Sequence, residues 1–221
     1  MLKYKIFGKI FVMESYKTIK INGQSEDIIK KSRFICDIFR IQSEEEGKEL
    51  LSSIKKAHAK ANHSCSAMII GEQSQIKRSS DDGEPSGTAG IPILSVLEKQ
   101  ELTQILVVVT RYFGGIKLGT GGLIRAYSSV AANAIKKLQI VEVKEQVGIQ
   151  VTLTYSQYQS FPNFLQEHDL SEHETSFSEH ISTNLYCDPD KKNELIEHLV
   201  NFYQGKITYS DLPSRIIEVP L

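Results

Sequence analysis

The sequence has no tryptophan, few cysteines and no long hydrophobic run. Its three cysteines, Cys36, Cys65 and Cys187, are odd in number and lack CxxC spacing. That pattern argues against a disulfide framework and a zinc ribbon, and it favours a reducing compartment. No apolar stretch approaches the roughly 18 residues that a membrane helix needs. We therefore expect a cytoplasmic protein without a membrane partner.

The first twelve residues also lack the features of a targeting signal. Lys3, Lys5 and Lys9 interrupt their short apolar stretches, and no small-residue cleavage site follows. We interpret residues 1–12 as a possible extension. They either precede a true start at Met13 or form an added edge strand, and the sequence leaves both alternatives open.

The composition is that of a soluble globular protein, and the length fits one large domain or, as we predict, two small ones. The chain has 221 residues, of which 40% are hydrophobic and 24% are charged. Its charge is unevenly distributed, because residues 1–145 carry a formal charge of +6 and residues 146–221 carry −7. We predict a basic domain over residues 1–143 and an acidic domain over residues 144–221. The asymmetry indicates either two different electrostatic roles or two ordinary solvated surfaces.

Hydrophobic periodicity predicts an α+β fold. In the basic domain, strands are predicted at residues 15–21, 33–41, 64–71, 75–80 and 105–109. Helices are predicted from a capping box at Ser43 to about residue 61, after Pro92 and after a loop at residues 114–122. The acidic domain has the predicted order strand, helix, two strands, helix, strand. This βαββαβ order is the ferredoxin-like arrangement, which hosts many unrelated functions.

An acidic loop at residues 81–90 places Asp81, Asp82 and Glu84 among three glycines. Glycine-rich polar segments usually form turns, because glycine tolerates positive φ angles. Clustered carboxylates are also suited to hold a divalent cation, the amino groups of bases, or nearby guanidinium groups. The sequence leaves these alternatives open.

A glycine-rich loop at residues 114–122 runs directly into a predicted helix. Free backbone amides and the positive end of a helix dipole favour a bound phosphate. Neither standard phosphate fingerprint is complete, because Thr120 replaces the P-loop lysine and Ile124 replaces the last small residue of the dinucleotide motif. Flanking cations beside Tyr112 and Phe113 suit phosphate contacts with base stacking, as in single-stranded or looped RNA. The candidate anion- and nucleic-acid-binding residues are Arg111, Tyr112, Lys117, Gly119, Thr120, Gly121, Gly122 and Arg125.

A structural interpretation of the same segment stays open. Tyr112 and Phe113 would then fill the core, while Arg111 would neutralise Asp81 or Asp82. The two interpretations differ in whether the cationic side chains face outward to a polyanion or inward to the acidic loop.

His58, His63 and Cys65 form an H-x4-H-x-C pattern that is a weak candidate for zinc. The predicted helix ends between His58 and Cys65, so their spacing does not fix a coordination geometry. A nucleophilic Cys/His pair would need an orienting Asn or Asp, and the sequence names none. We expect no metal and no cofactor.

Two segments, RSSDDGEPSGTAGIPIL at 78–94 and VVVTRYFGGIKLGTGGLIRAYS at 107–128, resemble the bacterial, YigZ-like branch of the IMPACT family. KSRFI at 31–35 and the His63-x-Cys65 pair fit the same family. The resemblance implies an N-terminal fold like domain 2 of small-subunit ribosomal protein five. It also implies a C-terminal ferredoxin-like module similar to the last domain of elongation factor G. Relatives of both modules contact RNA or the ribosome, and eukaryotic members regulate translation.

These observations predict a non-enzymatic RNA- or ribosome-associated protein linked to translation regulation. It would bind a polyanion through the glycine-rich basic loop of the N-terminal domain. One alternative is an enzyme that binds phosphate at this loop and holds Mg²⁺ through Asp81, Asp82 and Glu84. Another is an adaptor that binds a protein partner through the C-terminal domain.

Overall fold

The structure, a computed structural model, describes residues 13–221, and the predicted extension at residues 1–12 lies outside the described residues. The described chain forms two compact units. The first comprises Glu14–Val143 together with Glu218–Leu221, and the second is built on Lys144–Ile217. Glu218–Leu221 therefore belong to the first unit, whereas the sequence assigned them to the acidic domain.

The first unit contains a five-stranded antiparallel sheet and three helices. The strands of the unit, five of them in this sheet, are β1 (Tyr16–Ile19), β2 (Gly23–Ile29), β3 (Ser32–Arg40), β4 (His63–Ile70), β5 (Ile76–Ser80) and β6 (Ile105–Tyr112). Its helices are α1 (Glu44–Ala57), α2 (Gly90–Lys99) and α3 (Thr120–Lys136). The sheet order is β2-β3-β6-β4-β5, with β6 at the centre. Strand β1 lies outside this sheet and pairs with the first residues of β7 (Ile140–Leu153).

Both faces of the five-stranded sheet are covered, which explains the continuous apolar run of β6. Val107 and Val109 face a core that includes Ile93 of α2 and Tyr127 of α3. Leu106, on the opposite face, belongs to a smaller cluster against which α1 packs. Since strand side chains alternate between faces, each residue of β6 is assigned to one of these two cores.

Helix α1 begins where the sequence predicts, at the Ser43 cap. The Glu46 amide donates to Ser43 Oγ at 3.1 Å, but the Glu46 carboxylate accepts from the Gln42 amide at 2.7 Å and not from Ser43. The helix ends at Ala57, with His58 as its C-cap, so the predicted extension to about residue 61 is wrong.

The second unit follows the βαββαβ order. After β7 come α4 (Tyr155–Tyr158), α5 (Phe161–Glu167), β8 (His173–Phe177), β9 (Ile181–Cys187), the 3-10 turn Pro189–Lys191, α6 (Lys192–Phe202) and β10 (Thr208–Pro220). The strands are ordered β10-β7-β9-β8. The core joins Phe161 and Phe164 of α5 and Leu199 of α6 to inward-facing residues of β7 and β9, such as Val151 and Leu185.

The two-unit α+β architecture confirms the fold class predicted from the sequence. Among residues 13–221, no helix is long and apolar enough to span a bilayer.

Candidate functional site

The acidic loop at residues 81–90 is closed by the side chain of Asp81. Its carboxylate accepts the backbone N–H groups of Gly87, Ala89 and Gly90 at 2.8–3.0 Å. Partial burial acts to raise the pKa of Asp81, but these three donors outweigh it and hold the pKa below its ordinary value. Because α2 begins at Gly90 and Ala89 offers no capping side chain, Asp81 also caps that helix.

Asp82 joins the loop to α1 and β4. Its carboxylate accepts from Lys55 Nζ and from the Ser64 amide, both at 2.6 Å. Burial acts to raise the pKa of Asp82, and these two bonds lower it more. The Asp82 backbone carbonyl lies 2.9 Å from His63 Nδ1.

Glu84 points into the protein and is almost fully buried. Its Oε1 accepts from Arg111 Nη1 at 2.6 Å and from the Tyr127 hydroxyl at 2.8 Å. Arg111 Nη2 also donates to Ser32 Oγ at 3.2 Å. These contacts form a buried polar network between β6, α3 and the acidic loop, in which the acid and the base neutralise each other.

The structure corrects the expectation that Arg111 contacts a polyanion, because this residue is only 4% exposed. Arg111 follows Val107 and Val109 on the same face of β6, and the alternation of the strand directs it toward α3. Its guanidinium lies over the rings of Phe34 and Phe113, at 5.4 and 5.5 Å from their centroids. The structural interpretation predicted an inward Arg111 but with the wrong partner, since Arg111 pairs with Glu84 and not with Asp81 or Asp82.

The three carboxylates of the acidic loop are held by different partners. Asp81 bonds to backbone amides, Asp82 to Lys55 and Glu84 to Arg111. In the described part of the chain, no group of three or more His, Cys, Asp or Glu side chains is placed to hold a metal ion. The Mg²⁺ prediction therefore gains no support from the positions of these residues.

The weak zinc candidates also have separate partners. His58 Nδ1 lies 2.9 Å from the Tyr112 hydroxyl, whereas His63 Nδ1 contacts the Asp82 carbonyl. The thiol of Cys65 donates to the Asp81 carbonyl at 3.0 Å. Burial raises the pKa of Cys65 to about 12, so its thiol stays protonated at neutral pH and is a poor nucleophile and metal ligand.

The glycine-rich loop leads into α3 as the sequence predicts. Gly115 and Gly119 adopt φ angles of +84° and +71°, which favour glycine. The Leu123 N–H donates to the Gly119 carbonyl at 2.9 Å, so the amides of residues 120–122 precede the helical hydrogen-bond ladder. This end of α3 therefore presents N–H groups and the positive end of its dipole.

Lys117, three residues before Thr120, and Arg125, three residues after Gly122, are both exposed. Nη1 of Arg125 lies 3.5 Å from the position that a β-carbon on Gly121 would occupy. Within residues 13–221, neither Lys117 nor Arg125 forms a salt bridge with an acidic residue. These two cations keep the outward orientation that Arg111 lacks.

Tyr112 and Phe113 have different environments. Tyr112 is half-buried, with its hydroxyl at His58 and the Arg33 guanidinium 5.7 Å from its ring centroid. Phe113 is 44% exposed, and two isoleucines of the segment that follows it, Ile116 and Ile124, are each 40% exposed. Neither isoleucine was predicted to be a surface contact residue, and Ile124 was named only as a departure from the dinucleotide motif. The available signal was that Ile124 lies off the apolar stripe formed by the buried residues of α3.

The comparisons with known proteins agree with this two-unit organisation. The Impact N-terminal domain family matches residues 30–135, and the Domain of unknown function (DUF1949) matches residues 151–206. The chain is 41% identical over 195 residues to IMPACT family member YvyE of Bacillus subtilis (strain 168), covering 88% of this chain and 90% of YvyE. The chain belongs to the IMPACT family.

Other IMPACT relatives support the assignment and confirm the resemblance seen in the sequence. IMPACT family member YigZ of Escherichia coli (strain K12) is 44% identical over 112 residues, which cover 50% of this chain and 55% of YigZ. A crystal structure described as that of a hypothetical protein is 30% identical, with a TM-score of 0.59. It covers 91% of this chain, and the match spans 99% of that chain.

Every candidate residue discussed above lies within the segment that matches the Impact N-terminal domain. We define the glycine-loop surface as Phe113, Ile116, Lys117, Ile124 and Arg125, together with the amides of residues 120–122. The buried Glu84–Arg111 pair lies behind this surface, against the inner side of Phe113.

Proposed function

We propose that this IMPACT family member is a non-enzymatic protein that associates with RNA or the ribosome. Its first unit would bind the phosphate backbone through the glycine-loop surface. The observation that carries the proposal is the exposure of Lys117 and Arg125, which flank in the sequence the free amides at the start of α3. Cations and helix amides together favour a phosphate group over other ligands.

The charge of the wider domain supports the same ligand. Glu14–Val143 and Glu218–Leu221, which form the first unit, carry 18 Lys and Arg against 16 Asp and Glu, a net charge of +2. A net positive unit attracts a polyanion over several ångströms before contact forms, and phosphate contacts supply most non-specific affinity for nucleic acid. A role in translation regulation stays a prediction that rests on the family resemblance, as does protein binding by the second unit.

RNA binding by the full-length protein at two salt concentrations tests the proposal. Two phosphate contacts give a log-log salt slope of about −1.4 for single strands, at roughly −0.7 per phosphate. We expect Lys117→Gln and Arg125→Gln each to weaken binding and to reduce the slope by about 0.7. The corresponding ribosome experiment is co-sedimentation at low salt and release at high salt.

Lys136→Gln is a matched control. Lys136 is an exposed cation in the last turn of the same helix, about 24 Å along the helix from Thr120 and about 16 Å from Arg125 at 1.5 Å per residue. It should leave affinity and slope unchanged. Absent RNA binding at low salt would reject the proposal, and so would equal effects of all three substitutions.

A further inference from the structure

Hydrogen bonds fix the backbone at Phe113 and at the next residue, Gly114. The Phe113 N–H donates to Asn62 Oδ1 at 2.8 Å, and the Gly114 N–H donates to Ser32 Oγ at 3.3 Å. A β-carbon at Gly114 would overlap the Lys31 carbonyl, so the backbone passes directly against β3 at this point. The ring is therefore presented from a fixed position and not from a freely moving loop.

The inner side of the Phe113 ring is already occupied. The Arg111 guanidinium lies 5.5 Å from its centroid, and Arg111 is itself fixed by Glu84 and packed against Phe34. Even so, 44% of Phe113 faces solvent. An aromatic ring backed by a buried cation and left open on its outer side is a ready stacking surface.

Exposed apolar and cationic residues are adjacent in the sequence of the segment that follows Phe113. Ile116 precedes Lys117 in the loop, and Ile124 precedes Arg125 in α3, so each exposed isoleucine is next to an exposed cation. Single exposed apolar residues are common on protein surfaces. Here three exposed apolar residues and two exposed cations lie on one short segment of the chain. This combination suits a nucleotide, which has both a flat base and a phosphate.

Resting on the proposed function, we propose that the glycine-loop surface selects unpaired RNA and that Phe113 stacks on a base. Duplex RNA presents phosphates and 2′-hydroxyls on its outside and keeps its bases stacked within the helix. Lys117 and Arg125 have phosphates to contact on either form, whereas Phe113 has a base to contact only on an unpaired strand. Phe113 thus supplies the preference, and the cations supply general affinity.

The test compares a 12-nucleotide RNA without self-complementarity with the same strand annealed to its complement, using fluorescence anisotropy and the full chain. Phe113→Leu keeps an apolar cover over Arg111 but removes the ring. We expect it to weaken binding of the unpaired strand by roughly 5- to 150-fold, the range for loss of one stacked base. Duplex affinity and the salt slope should not change. Phe113→Tyr keeps the ring and should retain wild-type affinity.

Phe177→Leu is the control, since Phe177 is an aromatic residue of the second unit that is 61% exposed. It should bind both RNAs as the wild type does. Circular dichroism of Phe113→Leu establishes that the variant folds. If it does not, the comparison of unpaired with duplex RNA on wild-type protein decides, because the inference requires tighter binding of the unpaired strand.

The failures of the two proposals are distinguishable. Equal wild-type affinity for unpaired and duplex RNA, with Lys117→Gln still weakening both, overturns the stacking inference and leaves the proposed function in place. No wild-type binding to either RNA rejects both. Binding only to vesicles of phosphatidylcholine and phosphatidylserine, or only to an acidic peptide, also rejects both.

Discussion

At the residue scale, Glu84 and Asp81 show two uses of a carboxylate within one short loop. Glu84 is buried and neutralises the Arg111 guanidinium, so neither charge is available to solvent. Asp81 has no cationic partner among the bonds described above, and its carboxylate accepts hydrogen bonds from three backbone N–H groups. A carboxylate that accepts several N–H bonds is stabilised in its ionised form, which makes the contribution of Asp81 dependent on pH.

We expect Asp81→Asn to lower the free energy of unfolding by roughly 1–2 kcal/mol at pH 7, because the charge-assisted bonds are lost. The folded-state pKa of Asp81 lies below its unfolded value of about 3.9. Its stabilisation is therefore complete above that value and is lost as the pH falls through the folded-state pKa. Urea unfolding between pH 7 and pH 2 should show the wild-type and variant curves converging at acid pH.

Asp190→Asn provides the comparison for that pH series, since Asp190 is exposed in the second unit. It should change the free energy of unfolding by no more than about 0.5 kcal/mol across the series. A gap between wild type and Asp81→Asn that stays constant from pH 7 to pH 2 would contradict the assigned role of Asp81.

At the element scale, the turn from β6 into the glycine-rich loop depends on a close approach of two backbones. Gly114 lies against the Lys31 carbonyl, and any side chain there meets backbone atoms that have little freedom to move. Gly115, the next residue, has a φ of +84° but no atom within 4 Å of its missing β-carbon. The two neighbouring glycines are therefore required for different reasons.

Substitution by alanine separates these reasons. Gly115→Ala should cost about 1–2 kcal/mol, the cost of placing an L-residue in the left-handed region. Gly114→Ala should destabilise the first unit more, since β3 and β6 must move apart to admit the methyl group. Hydrogen exchange of β3 amides is the measurement, and equal exchange in the two variants would show that the close approach is unimportant.

The strands and helices that were predicted from the sequence are those whose apolar residues form a clear run or stripe. The buried run of β6 and the apolar stripe of α3 are examples. Strand β2 was not predicted, because its inward-facing residues Gly23, Ser25 and Asp27 give no alternation of apolar with polar positions. The end of α1 was misplaced because Ala61 continues the helical spacing after the helix has ended at Ala57.

As with the strands and helices, only part of the candidate site was predictable from the sequence. The loop, the helix start and the outward Lys117 and Arg125 follow from local sequence. The partner of Arg111 does not, because Asp81, Asp82 and Glu84 are separated by at most three positions, and backbone turns decide which one points inward. Asn62 bonds to the Phe113 amide and Ser32 to the Gly114 amide, although both residues are distant from Phe113 in the sequence. No local sequence pattern predicts such long-range contacts.

At the scale of the whole molecule, the sequence order and the structural units do not coincide. The boundary after Val143 falls inside β7, and Glu218–Leu221 return to the first unit. There, Glu218 pairs with Arg40 at 2.6 Å, and the Leu221 N–H donates to the Ile140 carbonyl at 3.1 Å. These last contacts support the region where β1 meets β7.

Deletion of Glu218–Leu221 should therefore destabilise the first unit by about 1–2 kcal/mol, the combined scale of one partly exposed ion pair and one backbone hydrogen bond. Hydrogen exchange should become faster in β1 and at residues 140–143, while β9 keeps its protection. Glu218→Gln removes only the ion pair and should have a smaller effect. Unchanged exchange in β1 after the deletion would show that these residues do not stabilise the first unit.

The return of Glu218–Leu221 also affects the order in which the protein matures during synthesis. Translation proceeds from the amino terminus, so the ribosome makes all of Lys144–Ile217 before it makes the residues that finish the first unit. The first unit, of which Glu14–Val143 are made before Lys144–Ile217, is consequently completed last, and a newly made chain holds β1 and the start of β7 without their final contacts until the second unit has been made.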